Sequence, residues 1–151
     1  MLSKLTTFRS LSSDQKRLFF QAWRLLAKLR LAIMTKPFKH LVAGFDVNRE
    51  VDQSPLDAES LASAQQIGWA VSSAARFTPW QSTCLVQVLA AQRMLQQRGI
   101  AGAFYLGAST DSSEDKKQVL SAHAWLKCDN NFIIGEPGHE RFTVVSTFSW
   151  G

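Results

Sequence analysis

The chain has 151 residues, 46% of them hydrophobic and 11% aromatic, with two cysteines and a net charge of +5. A single core of that size buries roughly two-thirds of the unfolded surface and needs no covalent staples. The composition therefore excludes a disordered tail, a charge-rich coiled coil and a disulfide scaffold, and the cysteine usage points to a reducing compartment.

Nothing reads as a transmembrane segment. The longest uncharged runs, 60–75 and 77–92, are 16 residues each and carry several Ser, Thr and Gln, whereas a span needs about 20 mostly apolar residues. No signal peptide is legible either, because the apolar run at 18–22 is cut by Arg24, Lys28 and Arg30. The expected location is the cytoplasm. Charge is uneven along the chain: the first 40 residues hold nine basic side chains and one acid, while the remaining 111 hold 8 basic and 11 acidic ones. Such asymmetry suggests that the N-terminal region faces an acidic partner or surface.

Taken in chain order, Ser12 or Ser13 can cap a helix opening at Asp14. Leu18, Ala22, Leu25, Leu26, Leu29 and Ile33 recur at helical spacing, and the helix should stop before Pro37. Residues 1–45 thus form a basic amphipathic helical extension. The polar run 46–56, with Pro55, reads as a linker. A second helix is expected from Asp57 to about Arg76, then a break at 77–80 around Pro79, then a third helix from near Ser82 that Gly99 ends. Strands are expected at 103–109 and 120–128, separated by a charged loop. Asp129-Asn130-Asn131 is turn chemistry that returns a short strand at 132–134. A further turn at Glu136-Pro137-Gly138 leads to a last strand at 142–148. Helices first and an antiparallel sheet after make an α+β fold, with a core over 57–151.

Two residues stand out chemically. Cys84 lies at the start of the third helix, where free N–H groups and the helix dipole favour an anion and a thiol can become a nucleophile. His123 lies within a strand, on the face of Trp125 and Lys127 and opposite Ala124, Leu126 and Cys128. A cysteine at a helix start followed by a histidine on a later strand is the order of papain-like thiol enzymes. Cys128 has the wrong strand parity to join His123 in a metal site, and no paired ligand set accompanies them, so no metal and no cofactor are expected. No recognition module accompanies the basic helix, so nucleic acid is not expected as a partner.

The ordered blocks Pro79-Trp80, Cys84-Leu85, Arg98-Gly99-Ile100, Leu106-Gly107 and Ala122-His123-Ala124-Trp125-Leu126 resemble the transglutaminase-like leader peptidases of lasso-peptide biosynthesis. The stretches at 18–41 and 135–148 are similar to that family as well. The resemblance implies a papain- or transglutaminase-like core, with the nucleophile at the start of a helix packed on a small antiparallel sheet. It implies a cysteine peptidase that removes the leader from a ribosomally made precursor peptide. Cys84 would be the nucleophile and His123 the general base and acid. The Cys84 N–H, with Gln81 or the Trp80 indole, would stabilise the oxyanion. The partners implied are the precursor's leader region, a separate leader-recognition protein and an asparagine-synthetase-like cyclase, since the chain resembles the split form without a fused recognition domain. Arg17, Arg24, Lys28 and Lys36 would attract an acidic partner surface.

Members with a full triad carry an Asp about 12 residues after the histidine, and here that position is Gly135. Glu136 and Asp129 are the nearby acids, and a Cys–His dyad oriented by a backbone carbonyl is the other arrangement. Alternative readings of the chain are an acyltransferase of the same fold, a non-catalytic peptide-binding module, or a peripheral membrane or nucleic-acid protein led by the first 40 residues.

Overall fold

The computed structural model describes residues 9–48, 55–79, 83–111 and 119–151. Helix α1 spans Ser13–Thr35. It opens with a reciprocal cap: the Gln15 N–H donates to Ser12 Oγ at 3.2 Å and the Ser12 N–H donates to Gln15 Oε1 at 2.9 Å. It closes at Lys36, whose extended backbone suits the residue before Pro37. Its periodic residues Leu18, Phe19, Ala22, Leu26 and Leu29 are buried.

A short helix α2, Phe38–Leu41, and a two-residue strand β1, Asp46–Val47, come next. Neither was expected, and both are too short to carry a period. Strand β1 lies at the start of the stretch read as a linker; residues 49–54 of that stretch are outside the described residues. Helix α3 spans Ala58–Ala75 and is capped by Asp57, whose carboxylate accepts from the Ser60 N–H at 2.7 Å. That bond holds the Asp57 carboxyl below its ordinary range. Helix α4 spans Cys84–Gln97 and ends at Gly99, where φ is +70°.

Four longer strands follow: β2 (Gly102–Asp111), β3 (Val119–Cys128), β4 (Asn131–Ile134) and β5 (Thr143–Trp150). They form one antiparallel sheet in the order β1-β5-β2-β3-β4. A two-residue turn joins β3 to β4. Asp129 and Asn130 adopt φ +47° and +62° there, the left-handed pair that a tight hairpin requires.

Helix α4 packs on β3 and β4, α3 packs on β4, and α1 lies across α3 and α4. The sheet turns Phe104, Ala124, Leu126, Cys128, Ile134, Phe148 and Trp150 toward the helices, and these join α1, α3 and α4 in one hydrophobic cluster. Leu26 of α1 is completely enclosed in it, a position where truncation to alanine removes about 2–5 kcal/mol of stability. The chain is thus α+β, with the helix that begins at Cys84 seated on the sheet. Among the described residues no helix is long and apolar enough to cross a membrane.

Candidate active site

Cys84 is the first residue of α4. Thr83 caps the helix, its hydroxyl accepting from the Val86 N–H at 3.5 Å. The first turn contains no acid, so the positive end of the helix is not already neutralised by a carboxylate. Cys84 is half-buried, packed against the edge of the helix-side core, with its thiol free. The segment leading to it is tied back to the helices: Trp23 Nε1–H donates to the Phe77 carbonyl at 3.4 Å, and the Thr78 hydroxyl donates to the Ala75 carbonyl at 2.9 Å. Trp80 and Gln81, expected near the oxyanion, lie outside the described residues.

His123 sits in β3 opposite Gly107 of β2. Its imidazole is half-buried, on the same face of β3 as Trp125 by strand parity, with the rings of Trp125 and Phe142 against it. Its Nε2 lies 2.8 Å from the Gly135 carbonyl oxygen. A carbonyl oxygen only accepts, so Nε2 carries the proton in this bond. In the neutral ring Nδ1 then holds the lone pair and is the nitrogen able to take a proton from a thiol.

Gly135, the position at which the resemblance led us to expect an aspartate, thus supplies its main-chain oxygen to the imidazole. The group that orients the imidazole is the main-chain carbonyl of Gly135. A side chain is excluded there on steric grounds: Gly135 has φ +83°, and a Cβ would fall 2.5 Å from the Ala124 carbonyl oxygen.

Neither acid considered for a third catalytic member is hydrogen-bonded to His123 among the described residues. Glu136 is exposed, and its backbone carbonyl accepts from the His139 ring Nδ1–H at 2.7 Å. Among the described residues no hydrogen bond joins its carboxylate to His123. Asp129 lies in the turn at the far end of β3, six residues or roughly 20 Å along the strand from His123. Its carboxylate accepts from the Leu56 N–H at 3.0 Å and so fastens the approach to α3 onto the β3–β4 turn. That long-range bond is invisible in sequence, because it spans 73 residues.

Cys84 and His123 are not joined by a hydrogen bond among the described residues. Cys84 starts the helix that packs on β3, the strand that carries His123. Cys128 is fully buried on the helix side, and burial pushes its thiol up to about 12. Among the described residues no three His, Cys, Asp or Glu side chains converge to hold a metal ion.

Arg17, Arg24 and Lys28 on α1, and Lys36 just after it, all face outward. Sequence reasoning placed them there but missed what lies between them: Phe20, Leu31 and Met34 are 52%, 64% and 70% exposed along the same side. Their spacing from the cations, three or four residues, was the available signal.

A family model described as the transglutaminase-like superfamily matches residues 25–147, from the middle of α1 to near the end of β5. No curated protein and no solved structure matches the chain.

Proposed function

Because the chain belongs to the transglutaminase-like superfamily, we propose that it is a cysteine peptidase that cleaves the leader from a ribosomally made precursor peptide, of the kind matured into lasso peptides. The observation that carries this reading is the bond from His123 Nε2–H to the Gly135 carbonyl, which reserves Nδ1 for proton transfer in a chain that also starts a helix with a cysteine. In the reaction, His123 Nδ1 takes the proton of Cys84, and the thiolate attacks the carbonyl at the leader–core junction. The Cys84 N–H, with Gln81 or Trp80, stabilises the oxyanion. The imidazolium then returns its proton to the departing amine, and water hydrolyses the thioester.

Proton transfer demands Sγ and Nδ1 within about 3 Å of each other or one water apart, and catalytic hydrogen bonds often form only when substrate binds. The reading therefore requires Sγ and Nδ1 to meet at that distance when substrate is bound. The outward cations of α1, interleaved with Phe20, Leu31 and Met34, support docking to an acidic leader-recognition protein. The cyclase that closes the macrocycle is the further partner of this reading.

The test is cleavage of a precursor peptide by purified protein in the presence of its recognition protein. The expected product is a leader carrying a new carboxylate, one water heavier than the acyl fragment. Cys84→Ala and His123→Ala should each abolish cleavage, and the double variant should be no worse than either alone. A crosslinked product would make the chain an acyltransferase, and normal cleavage by Cys84→Ala would remove the thiol mechanism.

A further inference from the structure

The loop from Gly135 to Phe142 does more than supply one carbonyl. After β4 it crosses the outer face of the sheet and re-enters as β5, with Phe142 immediately before the first residue of that strand. The loop is held by its own bonds: the His139 ring to the Glu136 carbonyl at 2.7 Å, and the Phe142 N–H to the His139 carbonyl at 3.0 Å. The His139 ring also rests on Phe132, with centroids 4.5 Å apart, and on Trp125 at 5.7 Å. Trp125 is in turn only 4% exposed, although it lies outside the helix-side core.

These contacts set two aromatic rings against His123. Phe142 lies 5.2 Å from the imidazole, centroid to centroid, with 35° between the planes; Trp125 lies 5.7 Å away at 30°. The space for this arrangement comes from Gly107, the cross-strand partner of His123. A Cβ at position 107 would lie 2.7 Å from Phe142 Cβ and 2.8 Å from the Trp125 ring. The register between β2 and β5 shifts between Leu106 and Gly107, at the point where Phe142 reaches over the strand.

We propose that Phe142 and Gly107 are positioning residues for His123: the Phe142 ring closes on the imidazole over a glycine that leaves it room, and thereby keeps Nε2 on the Gly135 carbonyl. An imidazole can flip about χ2, because that torsion is broad and roughly two-fold; the flip would put Cε1 where Nε2 stands, break the bond to the Gly135 carbonyl and leave the tautomer unset. Rings packed against the imidazole deny the flip, so Nε2 stays on the carbonyl and Nδ1 stays free. This inference rests on the reading of His123 as the base, but its physical content concerns the ring alone.

The experiment is long-range proton–nitrogen NMR of the full chain labelled with nitrogen-15, recorded at alkaline pH, with His123→Gln assigning the signal among the three histidines. The wild type should show His123 as a single tautomer protonated at Nε2. Phe142→Ala should give averaged nitrogen shifts of a mixed tautomer, and Phe142→Tyr should restore the single form. Gly107→Ala, which displaces the same rings from below, should reproduce the Phe142→Ala spectrum. A single Nε2–H tautomer retained in a folded Phe142→Ala protein overturns the proposal. If that variant fails to fold, Phe142→Leu, which keeps bulk without a flat ring, is read in the same way. No substrate is involved, so a wild type with this signature that cleaves no leader would dismiss the peptidase reading and leave the positioning role intact.

Discussion

Gly135→Ala is the substitution that most directly probes how the imidazole is held. Gly135 has φ +83°, a conformation that costs an L-residue roughly 1–2 kcal/mol. The added methyl would stand 2.5 Å from the Ala124 carbonyl oxygen and 3.0 Å from Trp125 Cα and Cβ. These are atoms of the central strand β3, so relief must come from movement of the loop, and overpacking of this kind costs about 1–3 kcal/mol. Movement of the loop breaks the bond to His123, worth about 0.5–1.5 kcal/mol. A stability loss of about 3 kcal/mol or more is expected, visible in urea denaturation as a lower midpoint at unchanged slope. The His123 nitrogen spectrum should lose its fixed tautomer at the same time. Gly135→Asp carries the same Cβ and should fail for the same reason, without creating a carboxylate-oriented triad. A loss below about 1 kcal/mol with the tautomer unchanged would refute the claim that this position must be glycine for His123 to be oriented.

Three further outcomes are expected. Iodoacetamide should modify Cys84 in the native protein and spare Cys128, which is fully buried with its thiol pushed up to about 12; mass spectrometry showing both modified in folded protein would contradict that burial. Because the Cys128 thiol ordinarily ionises near 9.0, the unfolded chain loses this proton first as pH rises, so the contribution of Cys128 is complete below pH 9 and declines between 9 and 12. The difference in stability between wild type and Cys128→Ala should shrink across that window, and a flat difference would refute the assignment. Reversing Arg17, Arg24 and Lys28 to Glu should leave the melting temperature nearly unchanged, because all three face solvent, yet weaken a salt-sensitive association with the recognition protein. Equal affinity at low salt would mean that these charges only keep the chain soluble.

The parts of the fold that could be read from sequence were those set by local rules. Ser12 and Asp57 cap helices because their short oxygens reach the free N–H groups of the next turn, and Pro37 and Gly99 end helices for reasons written in their own backbones. The parity of β3 correctly separated His123 and Trp125 from Ala124, Leu126 and Cys128. What escaped was long-range. Strand β1 exists because Asp46–Val47 find an edge on β5, about 100 residues later. Asp129, a nearby acid by sequence, is spent on the Leu56 amide. Glu136 was the natural substitute for a missing aspartate if only side chains are counted, but the hydrogen-bond partner of the histidine is a main-chain oxygen, and the sequence marks it by a glycine.

In the proposed mechanism, a carbonyl in place of a carboxylate divides the work of a thiol site differently. Both groups accept the Nε2 proton and so set the tautomer, but the carbonyl brings no full negative charge to the imidazolium that forms when the thiol is deprotonated. Charge separation between Sγ and the ring must then be supported from the other end. Cys84 is placed for that: it is the first residue of α4, with no acid in the first turn to compete for the positive end of the dipole. The imidazole, lacking a carboxylate anchor, has its orientation enforced by packing instead, against Phe142 and Trp125 and above Gly107. On this argument the aromatic contacts around His123 replace the rigidity that a triad acid would have supplied, and removing them should cost the site more than their buried area alone implies.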